Sequence, residues 1–252
     1  MTGPTADAAR WVELAGVDNV RDLGGLPVQG GGATRRGVLF RGSTLQEATP
    51  ADVEVLLDGL GLRTVVDLRS PGESAREGHG LLEAAALSRV NLPVRQQKGV
   101  AADAVPAVSG SRLVDFYLAM LAGSGPSLVA TARIVADPGQ HAVLFHCAVG
   151  KDRTGLLAAV LLDAVGVPAA AIADDYALSG SRTARIRERL ARLPSYGRLP
   201  AVEHALMAAD PSVMHRFLEV LRADAGGAAH WLLRQGLAGA ELTALRAALV
   251  ER

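Results

Sequence analysis

The sequence predicts an α/β fold: a mainly parallel central sheet flanked by helices, with an α-rich C-terminal third. Three observations carry that expectation. Short apolar runs at residues 38–40, 63–67, 89–94 and 142–146 each end in a polar or glycine-bearing turn, as buried strands do. Helical patterns separate these runs, which lets the strands lie parallel. From Thr154 to Arg252 the pattern is almost entirely helical, broken at Gly166-Val167-Pro168, Gly180, Pro194, Pro200, Pro211 and Gly226-Gly227.

In order, residues 1–15 read as a frayed start with a short helical turn around Trp11. Asn19 to Gly25 is a polar turn with paired glycines, followed by a glycine tip at 30–32. Val38-Leu39-Phe40-Arg41-Gly42-Ser43 is a strand ending in a turn. Thr49 as N-cap and Pro50 at the first helical position open a helix to about Leu60, closed by Gly59 and Gly61. Arg63 to Arg69 is a second strand, ending at Ser70-Pro71-Gly72-Glu73. A short helical stretch leads to a strand at Arg89–Val94. Residues 95–110 have no period and read as a surface loop. A helix pair from Ser111 to Ala136 precedes the strand at 142–146, and a buried helix starts at Thr154. No repeat or linker divides the chain, so residues 1–252 are expected to form one domain.

Composition removes several function classes. Lys plus Arg and Asp plus Glu both number 26, so nothing favours a nucleic-acid partner. The longest apolar runs fall short of the ~18 residues of a membrane span, and the start has no signal-peptide order. The expected location is the cytoplasm, with leaderless secretion left open. One cysteine rules out an internal disulfide framework or a cysteine-based zinc site within one chain. Only two of the 26 basic residues are lysines, Lys98 and Lys151. Against that arginine bias, a lysine in the segment described next stands out.

That segment is His146-Cys147-Ala148-Val149-Gly150-Lys151-Asp152-Arg153-Thr154-Gly155. A strand delivers the lone cysteine into a tight loop, and a helix follows at once. Free backbone N–H groups and the positive end of a helix dipole make such a loop an anion site. A thiol set there ionises more readily. The N–H groups from Ala148 to Arg153 suit the equatorial oxygens of a phosphate, and Arg153 adds a bidentate contact as charge spreads. Cys147 is then the nucleophile, forming a phosphocysteine that water hydrolyses. Thr154 is placed to hydrogen-bond the sulfur. His146, on the strand, points away from it and orients the loop backbone. Ligands in open sheets gather at strand carboxyl ends, which brings Asp67 near Cys147.

These residues resemble the signature of cysteine-dependent protein tyrosine phosphatases, in the bacterial branch typified by mycobacterial protein tyrosine phosphatase B. Asn19-Val20-Arg21-Asp22-Leu23-Gly24-Gly25, Leu39-Phe40-Arg41-Gly42-Ser43, Val66-Asp67-Leu68-Arg69-Ser70-Pro71-Gly72-Glu73 and Asp175-Tyr176-Ala177-Leu178-Ser179 are similar to that branch too, over roughly residues 17–250. The resemblance implies a phosphatase fold without metal or organic cofactor. It also implies activity on phosphotyrosine proteins and often on phosphoserine, phosphothreonine or phosphoinositides.

Several roles stay open at this point. Asp152 is favoured as general acid from the family pattern, with Asp67 the alternative; Asp67 also suits a purely structural role beside Arg69. Lys151 suits either a second phosphate of a substrate or a solvated surface charge. Arg41 suits either the phosphate pocket or a structural ion pair. Tyr176 and Leu178 read as core. On helix 181–193, Arg182, Arg185, Arg189 and Arg192 form a basic stripe beside Ile186, Leu190 and Leu193. This is either a solvated amphipathic face or part of a helical lid over 181–210, able to touch anionic lipid. The competing functions are an inactive phosphate-binding module and a rhodanese-like sulfur transferase. Oligomeric state is not legible.

Overall fold

The computed structural model describes residues 8–95, 111–196 and 209–252. The expectations for the loop at 96–110, for Pro200 and for most of the lid beyond Tyr196 lie outside these residues. The strands are β1 (Arg21–Asp22), β2 (Ala33–Thr34), β3 (Leu39–Gly42), β4 (Thr64–Asp67), β5 (Ser88–Asn91), β6 (Val143–His146) and β7 (Val250–Glu251). Their main sheet has the order β1-β3-β6-β4-β5. β3, β6, β4 and β5 run parallel, and β1 joins the edge antiparallel. β2 pairs with β7, tying an early hairpin to the last residues described.

Both faces of the central strands β3, β6 and β4 are covered, which explains their apolar runs, while the edge strand β5 stays partly exposed. Alternate residues of each strand point to opposite sides. Leu39, Val66, Val143 and Phe145 join one core, under the helices that follow residue 111. Phe40, Val65 and Leu144 join the other, with Leu14, Val17, Leu45 and Leu56.

The helices are α1 (Pro50–Glu54), α2 (Pro71–Glu77), α3 (Arg112–Gly123), α4 (Gly125–Ala136), α5 (Asp152–Val165), α6 (Ala169–Leu178), α7 (Thr183–Leu190), α8 (Pro211–Ala225), α9 (Ala228–Arg234) and α10 (Gly239–Leu249). Capping boxes start α1 (Thr49 with Asp52) and α2 (Ser70 with Glu73), each with proline at the first turn. α5 is apolar almost all round and buried accordingly, and it ends at Gly166 in the left-handed conformation. Each of its buried leucines contributes about 1.5–3 kcal/mol. Among the described residues no single helix is long and apolar enough to cross a membrane; α3 and α4 are so only together, and they bend by 75°.

The helix opened by Pro50 runs to Gly59 with Leu60 as its cap, as expected, and its last five residues, Val55–Gly59, widen into a π turn. One local expectation is corrected. The N-terminal region is not frayed from residue 8 onward. Trp11 bridges to Arg21, and its ring lies under two guanidinium groups, Arg21 at 5.3 Å and Arg182 at 4.6 Å. Asp52 then fastens the following turn through the amides of Ala15 and Gly16.

Candidate active site

The loop from Cys147 to Lys151 joins β6 to the N-terminus of α5, and the fate of its carbonyls fixes its shape. Nδ1 of His146 lies 3.1 Å from the Cys147 carbonyl. The Thr44 amide donates to the Ala148 carbonyl (3.0 Å). Asn19 Nδ2 donates to the carbonyls of Val149 (3.3 Å) and Gly150 (3.1 Å), and Arg41 donates to Gly150 as well (2.9 Å). In a trans peptide the next N–H points the opposite way. The amides of Ala148, Val149, Gly150 and Lys151 are therefore turned to the inner side of the loop. The Gly150 amide bears this out by donating to Cys147 Sγ at 3.2 Å. Gly150 has φ of +77°, and a Cβ there would meet the Gly42 carbonyl oxygen at 2.5 Å, so only glycine fits. Asp152 and Arg153, opening α5, add helix N-terminal amides that no cap side chain takes among the described residues.

Arg153 is held by Glu73, the N3 residue of α2, through two bonds of 2.8 and 3.1 Å. Glu73 also accepts from the Ser70 amide and from Tyr196 Oη (3.0 Å). Burial opposes its charge, but Arg153 and the Ser70 amide more than offset this and bring its pKa down to about 2. Burial likewise works against the charge of Arg153, and the neighbouring Cys147 and Glu73 more than restore it. The guanidinium is thus a permanent, oriented cation beside the thiol.

Asp67 is one residue-pair across from His146 on the neighbouring strand. Both its oxygens are taken by Arg69, with Nε at 2.9 and 3.0 Å and Nη2 at 2.8 Å. Burial alone would raise its pKa; His146 and Arg69 hold it well below the usual carboxylate range. Burial pushes His146 down to about 4, so the imidazole is neutral. Asp67, His79 and His146 bring three potential metal-ligand atoms within 4.8 Å of one another. Arg69, already on both carboxylate oxygens, makes this an ion-pair cluster unsuited to a cation.

Lys151 is neither a solvated charge nor open to a second phosphate: its side chain is 1% exposed. Its ammonium lies 2.7 Å from Asp152 Oδ1 and 5.8 Å from the centre of the Tyr176 ring. Asp152, a third exposed, also accepts from Tyr117 Oη at 2.7 Å. Arg41 is in the ion pair rather than the pocket: it is buried, 2.7 Å from Asp175. Asp175 also meets Arg10 at 2.8 Å and Arg21 at 3.0 Å. The Thr154 hydroxyl is buried with no hydrogen-bond partner among the described residues, the sulfur included.

Over the loop lies α7. Its Ile186 and Leu190, with Tyr196, form a small apolar cluster with Ala148 and Val149 of the loop. The basic stripe is not simply solvated. Arg185 and Arg189 meet the buried Asp18 at 3.0 and 3.1 Å, and Arg182 pairs with Glu13.

Chemically, the site joins a thiol, a ring of inward amides, a fixed cation and a partly exposed carboxyl, a set suited to binding and transferring a tetrahedral dianion. Sequence reasoning assigned no roles to Asn19, Glu73, Asp175 or Tyr117. The first three stand in motifs noted for their resemblance, which was the one signal available; Tyr117 had none.

The sequence profile described as the tyrosine phosphatase family matches residues 12–251. A Cupriavidus necator chain named as a tyrosine-protein phosphatase is 33% identical over 235 residues, covering 86% of this chain and 80% of that one. The triple specificity protein phosphatase PtpB of Mycobacterium tuberculosis is 27% identical over 207 residues, covering 72% and 73%. The core catalytic domain of the PP-IP phosphatase SIW14 from S. cerevisiae is a distant likeness. It has a TM-score of 0.35 and 16% identity over 69% of this chain and 82% of that one. With the family profile spanning nearly its full length, this chain belongs to the tyrosine phosphatase family.

Proposed function

We propose that this phosphatase hydrolyses phosphotyrosine in proteins through a phosphocysteine intermediate. The Cys147 thiolate attacks phosphorus while the inward amides from Ala148 to Arg153 and the Arg153 guanidinium hold the three equatorial oxygens. The P–O bond to the tyrosine breaks, and Asp152 gives its proton to the departing phenolate. Water then attacks phosphorus, Asp152 takes a proton from it, and the Cys147 thiolate leaves as inorganic phosphate is released. The unclaimed Thr154 hydroxyl is available to the departing sulfur. Asp152 is preferred to Asp67 because Arg69 keeps Asp67 ionised and engaged at both oxygens. The observation that carries the reading is the capture of every loop carbonyl from Cys147 to Gly150, which turns the amides toward the thiol.

Backbone amides read the phosphate and nothing beyond it, so the same reading extends to phosphoserine, phosphothreonine and phosphoinositides. The name of the mycobacterial relative, with its triple specificity, is in line with that. We read the whole chain as one catalytic domain in which α7 is part of a lid. Turnover of p-nitrophenyl phosphate by the wild type, its loss in Cys147→Ser and a phosphoryl label trapped on Cys147 by acid quench are the expected results. Turnover surviving in Cys147→Ser would refute the mechanism; none in the wild type would favour a binding module. Deleting residues 181–193 should raise turnover of bulky phosphopeptides if the lid is real.

A further inference from the structure

We propose that Tyr117 and Tyr176, from α3 and α6, are positioning residues that fix which oxygen of Asp152 carries the proton during turnover. The inference rests on the reading of Asp152 as the proton donor and deepens it.

Four groups close into a ring. Lys151 Nζ and Tyr117 Oη both lie 2.7 Å from Asp152 Oδ1. The two tyrosine hydroxyls are 2.7 Å apart, and Lys151 Nζ is 3.5 Å from Tyr176 Oη. An ammonium only donates and a carboxylate only accepts. Tyr117 therefore spends its hydrogen on Asp152 and accepts from Tyr176, whose own oxygen faces Lys151. One direction of donation satisfies the whole ring. Burial raises the pKa of both phenols, so they remain donors at neutral pH. Oδ1 now has two donors on its two lone pairs. Oδ2 has no partner among the described residues, and the side chain is 33% exposed. A proton taken up by Asp152 belongs on Oδ2. The bonds to Oδ1 persist when Asp152 is neutral, because its carbonyl oxygen still accepts, so the rotamer is the same before and after proton transfer.

The test compares kcat for phenyl phosphate, a poor leaving group, with kcat for p-nitrophenyl phosphate, a good one. Loss of the donor in Asp152→Asn should raise the good-to-poor ratio about 100-fold. Tyr117→Phe removes one hydrogen bond to a charged group and should raise it about tenfold, through kcat rather than KM. Tyr176→Phe, which keeps the Tyr117 bond, should raise it less. In the Asp152→Asn background Tyr117→Phe should add nothing. The inference is overturned if Tyr117→Phe slows both esters equally, or if it still moves the ratio when Asp152 is gone. Should Tyr117→Phe not fold, an unchanged ratio in Tyr176→Phe overturns it instead. If Asp152→Asn itself leaves the ratio at the wild-type value, the donor reading falls and takes this inference with it.

Discussion

Asp175, 1% exposed, lies among three buried guanidinium groups, those of Arg10, Arg21 and Arg41, at 2.8, 3.0 and 2.7 Å. Asp175→Asn keeps the shape and removes the charge. Three cations then repel one another in a site closed to water. Arg21, whose pKa burial and Arg41 already lower to about 10, bears most of this. Breaking a buried pair from one side costs about 3–5 kcal/mol. For a chain of this size that is a fall in Tm on the order of 10 °C. The assay is thermal unfolding followed by circular dichroism across pH. Burial works against the charge of Asp175, but Arg21, Arg41 and Arg10 hold its carboxyl far below the ordinary range. Its stabilisation is therefore complete above the unfolded-state value of about 3.9 and is lost as pH falls toward the folded one. The gap between wild type and variant should be full near neutrality and shrink below about pH 4. A variant melting within about 2 °C of wild type at neutral pH would refute the reasoning, as would a gap that ignores pH.

Three further outcomes are expected. Glu73→Gln should free Arg153 and lower kcat/KM on p-nitrophenyl phosphate by about 10–100-fold, a charged hydrogen-bond pair being lost; Glu73, at about 2, should contribute no inflection to the pH profile above that range. Gly150→Ala forces a left-handed alanine at a cost of about 1–2 kcal/mol, plus the clash with the Gly42 carbonyl. The loop should shift and vanadate binding should be lost, as calorimetry would register. His146 is neutral in the fold with a pKa of about 4 against an unfolded value of about 6.5, so its protonation favours unfolding as pH falls between the two. His146→Asn should flatten the decline in stability over that interval in pH-dependent melting.

How much of this was legible depended on how far apart the partners lie in the chain. The strand, thiol, loop and helix of residues 142–155 declare themselves because strand pattern, helix start and anion chemistry coincide in one short stretch. The parallel sheet followed from β-branched runs alternating with helices. β1 did not, being two residues long and recognisable only by its pairing with β3. Asn19 and Arg21 read as a polar turn because the groups they hold, the Gly150 carbonyl and Asp175, are 131 and 154 residues away. Glu73 read as a turn residue, yet its helix cap aims the carboxylate at Arg153, 80 residues on. Lys151 and Arg41 were open between surface, pocket and ion pair, and only burial decides such choices. Tyr117 fell in an apolar helix, where a hydroxyl leaves no periodic mark.

Trp11 gives the covering helix an optical readout. One guanidinium over its ring, Arg21, belongs to the body of the fold, and the other, Arg182, sits just before α7. The second tryptophan, Trp231, is 7% exposed within the core far along the chain and serves as an internal standard. If α7 lifts when substrate enters, Arg182 leaves the indole and water takes its place, so emission from Trp11 should redden while that of Trp231 holds steady. A stopped-flow trace of the Trp231→Phe protein would then time the opening of the site without any added label.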